Sequence, residues 1–204
     1  MLSAIARGRW GSVRGMRVIG GRLGGRRLRS VPRGVRPTSD RVRESLFSML
    51  EPVEGARVLD VCAGSGALGI EAISRGASQL VAIERAAASL KAIRANVQDL
   101  GLEDVVRVRG GDARQVLPRL GRAGERFDLV FFDPPYDAGL EAAVLECLVS
   151  GDLLADDVRV VVEGAKRHSL PPVPGLNLVD QRVYGDTVLY FLSRADPVES
   201  AAET

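Results

Sequence analysis

The 204-residue chain is long enough for one domain and has the composition of an ordinary globular protein, with 46% hydrophobic residues. No apolar run approaches the roughly 18 residues that a membrane span needs, and the opening segment lacks the apolar core of a signal peptide. Two cysteines and one histidine argue against a structural zinc site. These features predict a cytoplasmic protein with no metal and no membrane partner, in which Cys62 and Cys147 are buried, reduced thiols.

The formal net charge of +2 hides a division of the chain. Residues 1–43 contain twelve arginines and one acid, a net charge of +11, whereas residues 44–204 carry a net charge of −9. Codon bias explains the preference for arginine over lysine but not the crowding of arginine near the N-terminus. A basic segment on an acidic body is typical of proteins that bind nucleic acid.

The N-terminal third begins with three predicted segments. Residues 1–15 have no apolar periodicity and are predicted to be a disordered leader. Residues 16–31 alternate apolar and basic side chains around two Gly pairs, which predicts a short hairpin. Residues 36–50 predict a helix that Thr38, Ser39 or Asp40 can cap. Its predicted apolar stripe consists of Val42, Leu46, Met49 and Leu50.

From residue 57 onward, strand-like and helical segments alternate. Near-continuous apolar runs predict strands at 57–62, 79–84, 105–109, 127–133 and 158–163. Helical patterns lie between them at about 66–75, 86–100, 112–120 and 138–149, and segment 96–101 is predicted only to end a helix. This alternation predicts a parallel sheet covered on both faces. Residues 176–193 instead predict two strands joined by a turn at Tyr184-Gly185-Asp186-Thr187.

The segment VLDVCAGSGALG (58–69) predicts a strand that runs through a glycine-rich loop into a helix. The glycines of GxGxxG allow a tight turn and a close approach of the backbone to a ligand at the helix N-terminus. Glu84 ends the next predicted strand, where an acid can hold both hydroxyls of a ribose. This spacing alone would also suit NAD.

Two acids favour S-adenosylmethionine over NAD. Asp60 lies at the approach to the loop, where a carboxylate would repel a pyrophosphate but attract an ammonium group; its alternative role is a hydrogen bond that braces the loop. Asp112, in the GDA segment after the third strand, can accept from an adenine amine, and its alternative role is to cap a helix. The predicted cofactor-binding residues are Asp60, Ala63, Gly64, Ser65, Gly66, Glu84, Asp112 and Ala113.

The segment VFFDPPYD (130–137) ends a predicted strand with an acid, two prolines and an aromatic residue. The prolines stop the strand and hold the residues before them in extended geometry. The result is a stiff edge with a carboxylate, carbonyl acceptors and a ring, which suits a flat molecule that bears an amine. Asp133, Pro134 and Tyr136 carry these groups, and the identity of the molecule depends on the rest of the chain.

Together these segments resemble the RsmD family, bacterial methyltransferases that modify the N2 amine of a guanine in 16S rRNA. The resemblance covers residues 16 to about 193 and is carried by RVIGGRLGGRRL, RPTSDRVRESLF, LDVCAGSGALGIEAISRGA, DPPY and QRVYGDT. All class I methyltransferases share the glycine loop, and many that act on amines share DPPY. The arginine-rich segment and the YGDT segment are more specific to this family. Cys62 is a departure, since an aromatic residue is more usual there.

The resemblance implies an α/β fold: a doubly wound, mostly parallel seven-stranded sheet of the Rossmann-like class I methyltransferase type, with a small N-terminal hairpin and helix. The predicted organisation is a disordered leader (1–15), a basic RNA-binding hairpin and helix (16–52), a methyltransferase domain (53–194) and a disordered tail (195–204). Either Met1 or Met16 can be the translation start.

The resemblance also implies an activity: methylation of guanine 966 of 16S rRNA, in the usual RNA numbering, with S-adenosylmethionine as cofactor and a monomeric enzyme. The substrate would be the 16S rRNA, within an assembling 30S subunit. Asp133 and the carbonyl of Pro134 would accept the two N–H groups of the amine and aim its lone pair, and Tyr136 would stack on the base. The residues predicted to bind the RNA are Arg22, Arg26, Arg27, Arg36 and Arg41.

Other functions remain open at this point. A DNA adenine-N6 methyltransferase, or another nucleic-acid amine methyltransferase, shares DPPY and the cofactor, although the DNA enzymes normally carry an additional target-reading domain. A protein-glutamine methyltransferase typically has Asn before the prolines, and a cytosine-C5 enzyme needs a Pro-Cys nucleophile. A nucleotide-binding module without chemistry leaves Asp133 and Tyr136 unexplained. His168 is predicted to lie at the surface, and Asp186 and Thr187 either approach the active site or only form a turn.

Overall fold

The computed structural model describes residues 16–30, 39–134, 139–167 and 169–195. The predicted leader, most of the predicted tail, Arg36, Tyr136 and His168 lie outside these residues. Within them, the helices are α1 (Asp40–Leu50), α2 (Ala67–Ser74), α3 (Ala87–Leu100), α4 (Ala113–Arg122) and α5 (Glu141–Ser150). The strands are β1 (Arg57–Val61), β2 (Gln79–Glu84), β3 (Val106–Gly110), β4 (Phe127–Phe132), β5 (Leu154–Ala165), β6 (Leu176–Tyr184) and β7 (Thr187–Arg194).

The seven strands form one sheet in the order β3-β2-β1-β4-β5-β7-β6. Strands β1 to β5 are parallel, and β7 pairs antiparallel with β5 and with β6. This topology confirms the predicted doubly wound, mostly parallel α/β fold. The chain moves outward from β1 to β3 and then returns to place β4 beside β1. The reversal opens a crevice at the carboxyl ends of β1 and β4, where open α/β sheets bind ligands.

Helices cover both faces of the sheet. On one face, called here the arm face, α1, α2 and α3 pack on apolar strand residues. On the other face, α4 and α5 form a second apolar core with the alternate strand residues. Residues on both sides of the predicted 52/53 boundary share the core of the arm face. None of the helices described here is long and apolar enough to cross a membrane.

Residues 16–30, called here the arm, fold back on themselves but do not form the predicted two-stranded hairpin. Arg17 and Arg27 make a single antiparallel bridge, and a short 3-10 turn at Gly21–Leu23 lies between them. The side chains of Val18, Leu23 and Leu28 are buried in the core of the arm face. The hairpin prediction was therefore correct in the reversal of the chain and wrong in its regular pairing, because the arm packs on α2 instead of extending as strands.

Two buried polar side chains of α2 hold the arm. The carboxylate of Glu71 accepts from the backbone N–H of Ile19 at 2.6 Å and of Gly20 at 2.7 Å. The hydroxyl of Ser74 donates to the carbonyl oxygen of Gly20 at 2.5 Å. A Cβ atom on Gly21 would lie 2.0 Å from the carbonyl oxygen of Ser74, and its φ of +70° also favours glycine. Gly20 and Gly21 therefore allow the backbone of the arm to lie close to α2.

Helix α1 is capped as predicted but presents a different face to the core. The hydroxyl of Ser39 accepts from a backbone N–H of the first turn, and the helix begins at Asp40. Met49, which was predicted to be in the apolar stripe, is 39% exposed. Phe47 is fully buried instead, with its ring centroid 5.7 Å from that of Phe131 on β4. The buried face consists of Arg43, Leu46, Phe47 and Leu50.

The burial of Arg43 accompanies this change in the face that α1 presents to the core. Its side chain is buried, and its guanidinium donates to the carbonyl of Arg17 at 2.9 Å and to the carboxylate of Asp40 at 2.8 Å. A second nitrogen lies 3.9 Å from the buried carboxylate of Glu71. The predicted apolar stripe did not include this arginine, and its ionic and hydrogen-bonding partners on α1, on the arm and on α2 make its burial possible.

The C-terminal hairpin confirms the predicted turn and is attached to α1. Strands β6 and β7 are joined through Gly185, whose φ is +64°. The hydroxyl of Tyr184 lies 2.7 Å from the hydroxyl of Ser45 on α1. The backbone carbonyl of Asp186 accepts from the N–H of Lys166 at 2.8 Å. The YGDT segment thus connects the edge of the sheet to the element that follows the arm.

Candidate cofactor and active site

The glycine loop lies between β1 and α2, at the carboxyl end of β1. Gly64 and Gly66 have φ of +57° and +79°, and Gly66 caps α2. A Cβ atom on Gly66 would lie 2.7 Å from Ile93, and one on Gly69 would lie 2.6 Å from Leu80. Nothing lies within 4 Å of the corresponding position at Gly64. The second and third glycines therefore serve close packing, and the backbone at the first faces open space that a ligand can enter.

Glu84 holds the base of this loop. One carboxylate oxygen accepts from the N–H of Gly64 at 2.8 Å. The other accepts from the N–H groups of Arg85 at 2.8 Å and Ala86 at 2.7 Å, just before α3. The residue is only 8% exposed. A carboxylate has about four lone-pair sites, so this bracing leaves acceptor capacity for the predicted ribose contact.

Asp60 lies beneath the loop and performs the bracing role that the sequence left as an alternative. The residue is 2% exposed, and its carboxylate accepts from the N–H of Gly69 at 3.0 Å. Burial raises the pKa of Asp60 to about 7; the hydrogen bond from Gly69 opposes this shift, and the charge of Glu84 adds to it. The proposed contact of Asp60 with an ammonium group stays a prediction.

Asp112 performs the capping role that was its alternative. Its carboxylate accepts from the backbone N–H of Arg114 at 2.9 Å, at the start of α4, and also binds the Arg114 guanidinium. The side-chain hydrogen bond from Arg114 lowers the pKa of Asp112 to about 2, so the group is ionised. Ala113, the first residue of α4, is buried. Their contacts with an adenine ring stay predictions.

Asp133 follows β4 at the point where the strand order reverses. Its backbone N–H donates to the carbonyl of Val61, the last residue of β1, at 3.3 Å. Burial raises the pKa of Asp133 well above its usual value, and the charges of Glu163 and Asp60 raise it further. Pro134 is buried beside it. The structure therefore places Asp133 at the strand reversal, within the electrostatic influence of Asp60.

Glu163, which the sequence did not single out, belongs to this group. Phe132 and Val162 are register partners on β4 and β5, so the next residues, Asp133 and Glu163, are neighbours at the carboxyl edge. Glu163 is 6% exposed. Side chains alternate along a strand, which places Glu163 on the arm face with Val161 of the same strand. The described residues contain no set of three or more His, Cys, Asp or Glu side chains placed to hold a metal ion.

Cys62 and Cys147 are half-buried rather than fully buried. Cys62 adopts a φ of +63°, which is rare for a residue other than glycine and occurs where the surrounding structure imposes it. Burial raises the pKa of the Cys62 thiol to about 12, with further contributions from the charges of Glu84, Asp133 and Asp60. A thiol with such a pKa stays protonated and is not a nucleophile.

The described arginines of the predicted RNA surface are exposed. They are Arg22, Arg26, Arg27 and Arg41. Arg26 also donates to the backbone carbonyl of Asp99, at the end of α3, at 3.2 Å. The arm packs on the same face of the sheet as Val161 and Glu163.

The residues that attach the arm to the body were not predicted from the sequence. Glu71 and Ser74 on α2 and Asn96 on α3 are all buried and hydrogen-bonded to arm backbone. The one local signal was the presence of polar side chains within helix segments whose neighbours are apolar. Such a pattern does not identify a partner 50 or more residues away, so only the folded chain reveals it.

Known proteins are similar to this chain over the segments described above. The family described as "Conserved hypothetical protein 95" matches residues 16–193. "Ribosomal RNA small subunit methyltransferase D" of Escherichia coli (strain K12) is 38% identical over 196 residues, which cover 92% of this chain and 94% of that protein. "Putative rRNA methyltransferase YlbH" of Bacillus subtilis is 35% identical over 175 residues, which cover 84% of this chain and 95% of that protein.

A solved structure is also similar to this chain in fold. "Putative methyltransferase yhhF from Escherichia coli" superposes with a TM-score of 0.79 and 38% sequence identity, covering 88% of this chain and 97% of that one. The matched residues include the arm, the glycine loop, the segment after β4 and the C-terminal hairpin. The chain belongs to the RsmD family.

Proposed function

We propose that this protein transfers a methyl group from S-adenosylmethionine to the N2 amine of a guanine in 16S rRNA, guanine 966 in the usual numbering. The observation that carries the proposal is the placement of Asp133 at the strand reversal, beside the end of β1 that leads into the glycine loop, in a body to which an arginine-rich arm is docked. The relatives named as ribosomal RNA methyltransferases support RNA as the substrate. The substrate is the free RNA or an assembling 30S subunit.

The cofactor is S-adenosylmethionine, whose sulfonium supplies an activated methyl group. The open backbone at Gly64 fits a close approach by this molecule, and Glu84 retains acceptor capacity for its ribose. In this proposal Asp112 and Ala113, at the start of α4, contact the adenine, and Asp60 contacts the ammonium group. These assignments are supported by the position of each residue at the carboxyl ends of β1, β2 and β3.

The chain's own groups then prepare the target amine. Asp133 and the carbonyl of Pro134 accept its two N–H groups, which favours a tetrahedral nitrogen and directs its lone pair into the crevice. When the nitrogen bonds to the methyl carbon, the carbon–sulfur bond breaks and positive charge develops on the nitrogen. Asp133 stabilises this charge, and its raised pKa suits it to take the proton that the nitrogen sheds. Tyr136 stacks on the base.

The crowding of carboxylates favours guanine over adenine as the target. The Watson–Crick edge of guanine presents an N1–H donor beside the N2 amine, whereas N1 of adenine is an acceptor. Asp133 and Glu163 are neighbouring acceptors at the carboxyl edge of β4 and β5. In the ionised state that the transfer step requires, these oxygens accept from the N–H groups of guanine, whereas N1 of adenine brings no proton to them. This difference favours guanine over the adenine target of a DNA adenine-N6 methyltransferase.

In vitro methylation tests the proposal. The protein is incubated with methyl-labelled S-adenosylmethionine and with 16S rRNA or 30S subunits from cells that lack the gene, and the RNA is digested to nucleosides. The label should appear as N2-methylguanosine. Label in N6-methyladenosine, or in protein, would support one of the rival activities instead.

The protein should bind S-adenosylmethionine and not NAD, and Glu84→Ala should weaken that binding by roughly 1.5–3 kcal/mol, about 10- to 150-fold in Kd. The variant loses the ribose acceptor together with the brace to Gly64. Calorimetry measures both affinities, with Glu103→Ala, which removes an exposed acid, as the matched control. An unchanged affinity in Glu84→Ala would remove this residue from the cofactor site.

Cofactor affinity should rise with pH between about 6 and 8. Burial raises the pKa of free-state Asp60 to about 7, so the free enzyme holds a proton there at lower pH. A cationic cofactor favours the ionised carboxylate, so its binding releases that proton and Kd falls by up to about tenfold per pH unit below 7. Asp60→Asn keeps an oxygen for the N–H of Gly69 and should flatten the profile. Equal slopes for the two proteins would exclude Asp60 as the coupled group.

A further inference from the structure

Asn96 on α3 connects the arm to the cofactor loop. Its side-chain oxygen accepts from the backbone N–H of Arg29 at 2.7 Å, and its side-chain nitrogen donates to the carbonyl of Arg29 at 3.1 Å. The same nitrogen donates to the carbonyl of Ser65 at 2.9 Å. Asn96 is 1% exposed, so these bonds form away from water. Segment 96–101 was predicted only to end a helix; it does end α3 at Gly101, and Asn96 also joins two other elements.

Ser65 receives a second contact from the arm. Its hydroxyl donates to the thioether sulfur of Met16 at 3.1 Å, and the residue is 5% exposed. Ser65 lies between Gly64 and Gly66, which impose little conformational restriction of their own. The loop conformation is therefore set by its hydrogen bonds, and the bond at its centre leads through Asn96 to the arm.

We infer that the arm is a working part of the cofactor site, with Asn96 as the positioning residue that couples arm docking to the conformation of the glycine loop. A ligand that orders the loop must also favour the docked arm, because both states share the bonds of Asn96. Coupling of this kind is reciprocal. Where the proposed function holds, an RNA that binds the docked arm therefore raises the affinity for S-adenosylmethionine.

The geometry of the amide indicates which substitution is informative. The side-chain nitrogen of Asn96 faces two carbonyl oxygens, those of Arg29 and Ser65, and the side-chain oxygen faces an N–H. Asn96→Asp keeps the shape but turns an oxygen toward both carbonyls, so it repels the arm and the loop together. Ser74→Ala is the matched control, since Ser74 binds the arm at Gly20 and has no contact with the loop in the described residues.

Hydrogen exchange read by mass spectrometry tests the inference without RNA. In the wild type, saturating S-adenosylmethionine should slow exchange in peptides from the arm as well as in those from residues 60–70. Ser74→Ala should speed exchange of the arm but keep the slowing that the cofactor causes. Asn96→Asp should lose that slowing in the arm and should bind the cofactor roughly tenfold more weakly, the scale of an unmade buried hydrogen bond.

The outcomes separate this inference from the proposed function, on which it relies only for the identity of the probe. Slowed exchange in residues 60–70 without any slowing in the arm of the wild type overturns the coupling and leaves the cofactor assignment intact. No change in either region, with no calorimetric binding, overturns the cofactor assignment itself. The wild-type comparison decides the question even if Asn96→Asp does not fold, and Asn96→Ala then supplies the affinity measurement.

Discussion

Asp133→Ala should lower the rate of methyl transfer by about 10²–10³-fold while the protein still binds S-adenosylmethionine, as expected when one pre-placed acceptor is removed at the reacting nitrogen. Asp133→Asn keeps one acceptor oxygen but cannot take a proton, and its rate should lie between those of the alanine variant and the wild type. Single-turnover rates with saturating cofactor and RNA measure the effect on the chemical step.

The same variants should not be less stable than the wild type. Burial and the charges of Glu163 and Asp60 raise the pKa of Asp133, so the folded protein disfavours its ionised form. At pH 8 the carboxyl group is ionised in the unfolded chain, and the folded state therefore carries a penalty that Asp133→Ala removes. Urea unfolding at pH 8 gives the free energies to compare. Near-normal methyl transfer by a stable Asp133→Ala protein would mean that the segment after β4 is only structural.

Replacing Arg22, Arg26 and Arg27 by alanine should weaken RNA binding and its dependence on salt. Each phosphate contact contributes roughly 0.7–0.9 to the slope of log K against log salt, so the loss of three contacts lowers the slope by about 2–3. A tenfold rise in salt should therefore weaken RNA binding about 10²–10³-fold less in the variant than in the wild type. All three side chains are exposed, and the bond of Arg26 to the carbonyl of Asp99 is one that phosphate binding can replace.

A charge-matched variant provides the control for the arm. Arg119, Arg122 and Arg126 are exposed arginines in or just after α4, a helix of the opposite sheet face, and their replacement removes the same charge from another surface. Deleting residues 1–15 should do much less than the arm variant. Cofactor affinity without RNA should change little in the arm variant, because Asn96 binds the arm through its backbone and Arg26 adds only one exposed docking bond. A slope in the arm variant equal to that of the wild type would place the RNA site on another surface.

The sheet could be predicted from the sequence because its signals are local. Five apolar runs gave the parallel strands, and the glycine spacing placed a loop before α2. The loop glycines illustrate the limit of this reasoning. Their spacing indicated a turn, but only the packing of Gly66 on Ile93 and of Gly69 on Leu80 shows which of them serve contact with the body rather than with a ligand.

The arm and α1 show why the rest could not be predicted. A buried arginine such as Arg43 breaks the apolar pattern, so the stripe was assigned to include Met49 instead of Phe47. The attachment of the arm depends on Glu71 and Asn96, whose partners lie more than 50 residues away in the chain. Such contacts are decided by tertiary packing, which overrides local periodicity and propensity.

In the proposed function, Asp133 directs methylation of one guanine amine in 16S rRNA. The most direct measurement is mass mapping and primer extension of 16S rRNA from cells that lack the gene, complemented either with the wild type or with Asp133→Ala. We expect one N2-methylguanosine, at position 966, to be absent from the deletion strain, restored by the wild type and still absent with the variant. Unchanged 16S rRNA in the deletion strain, or loss of a methyl group from a base other than guanine, would contradict the account.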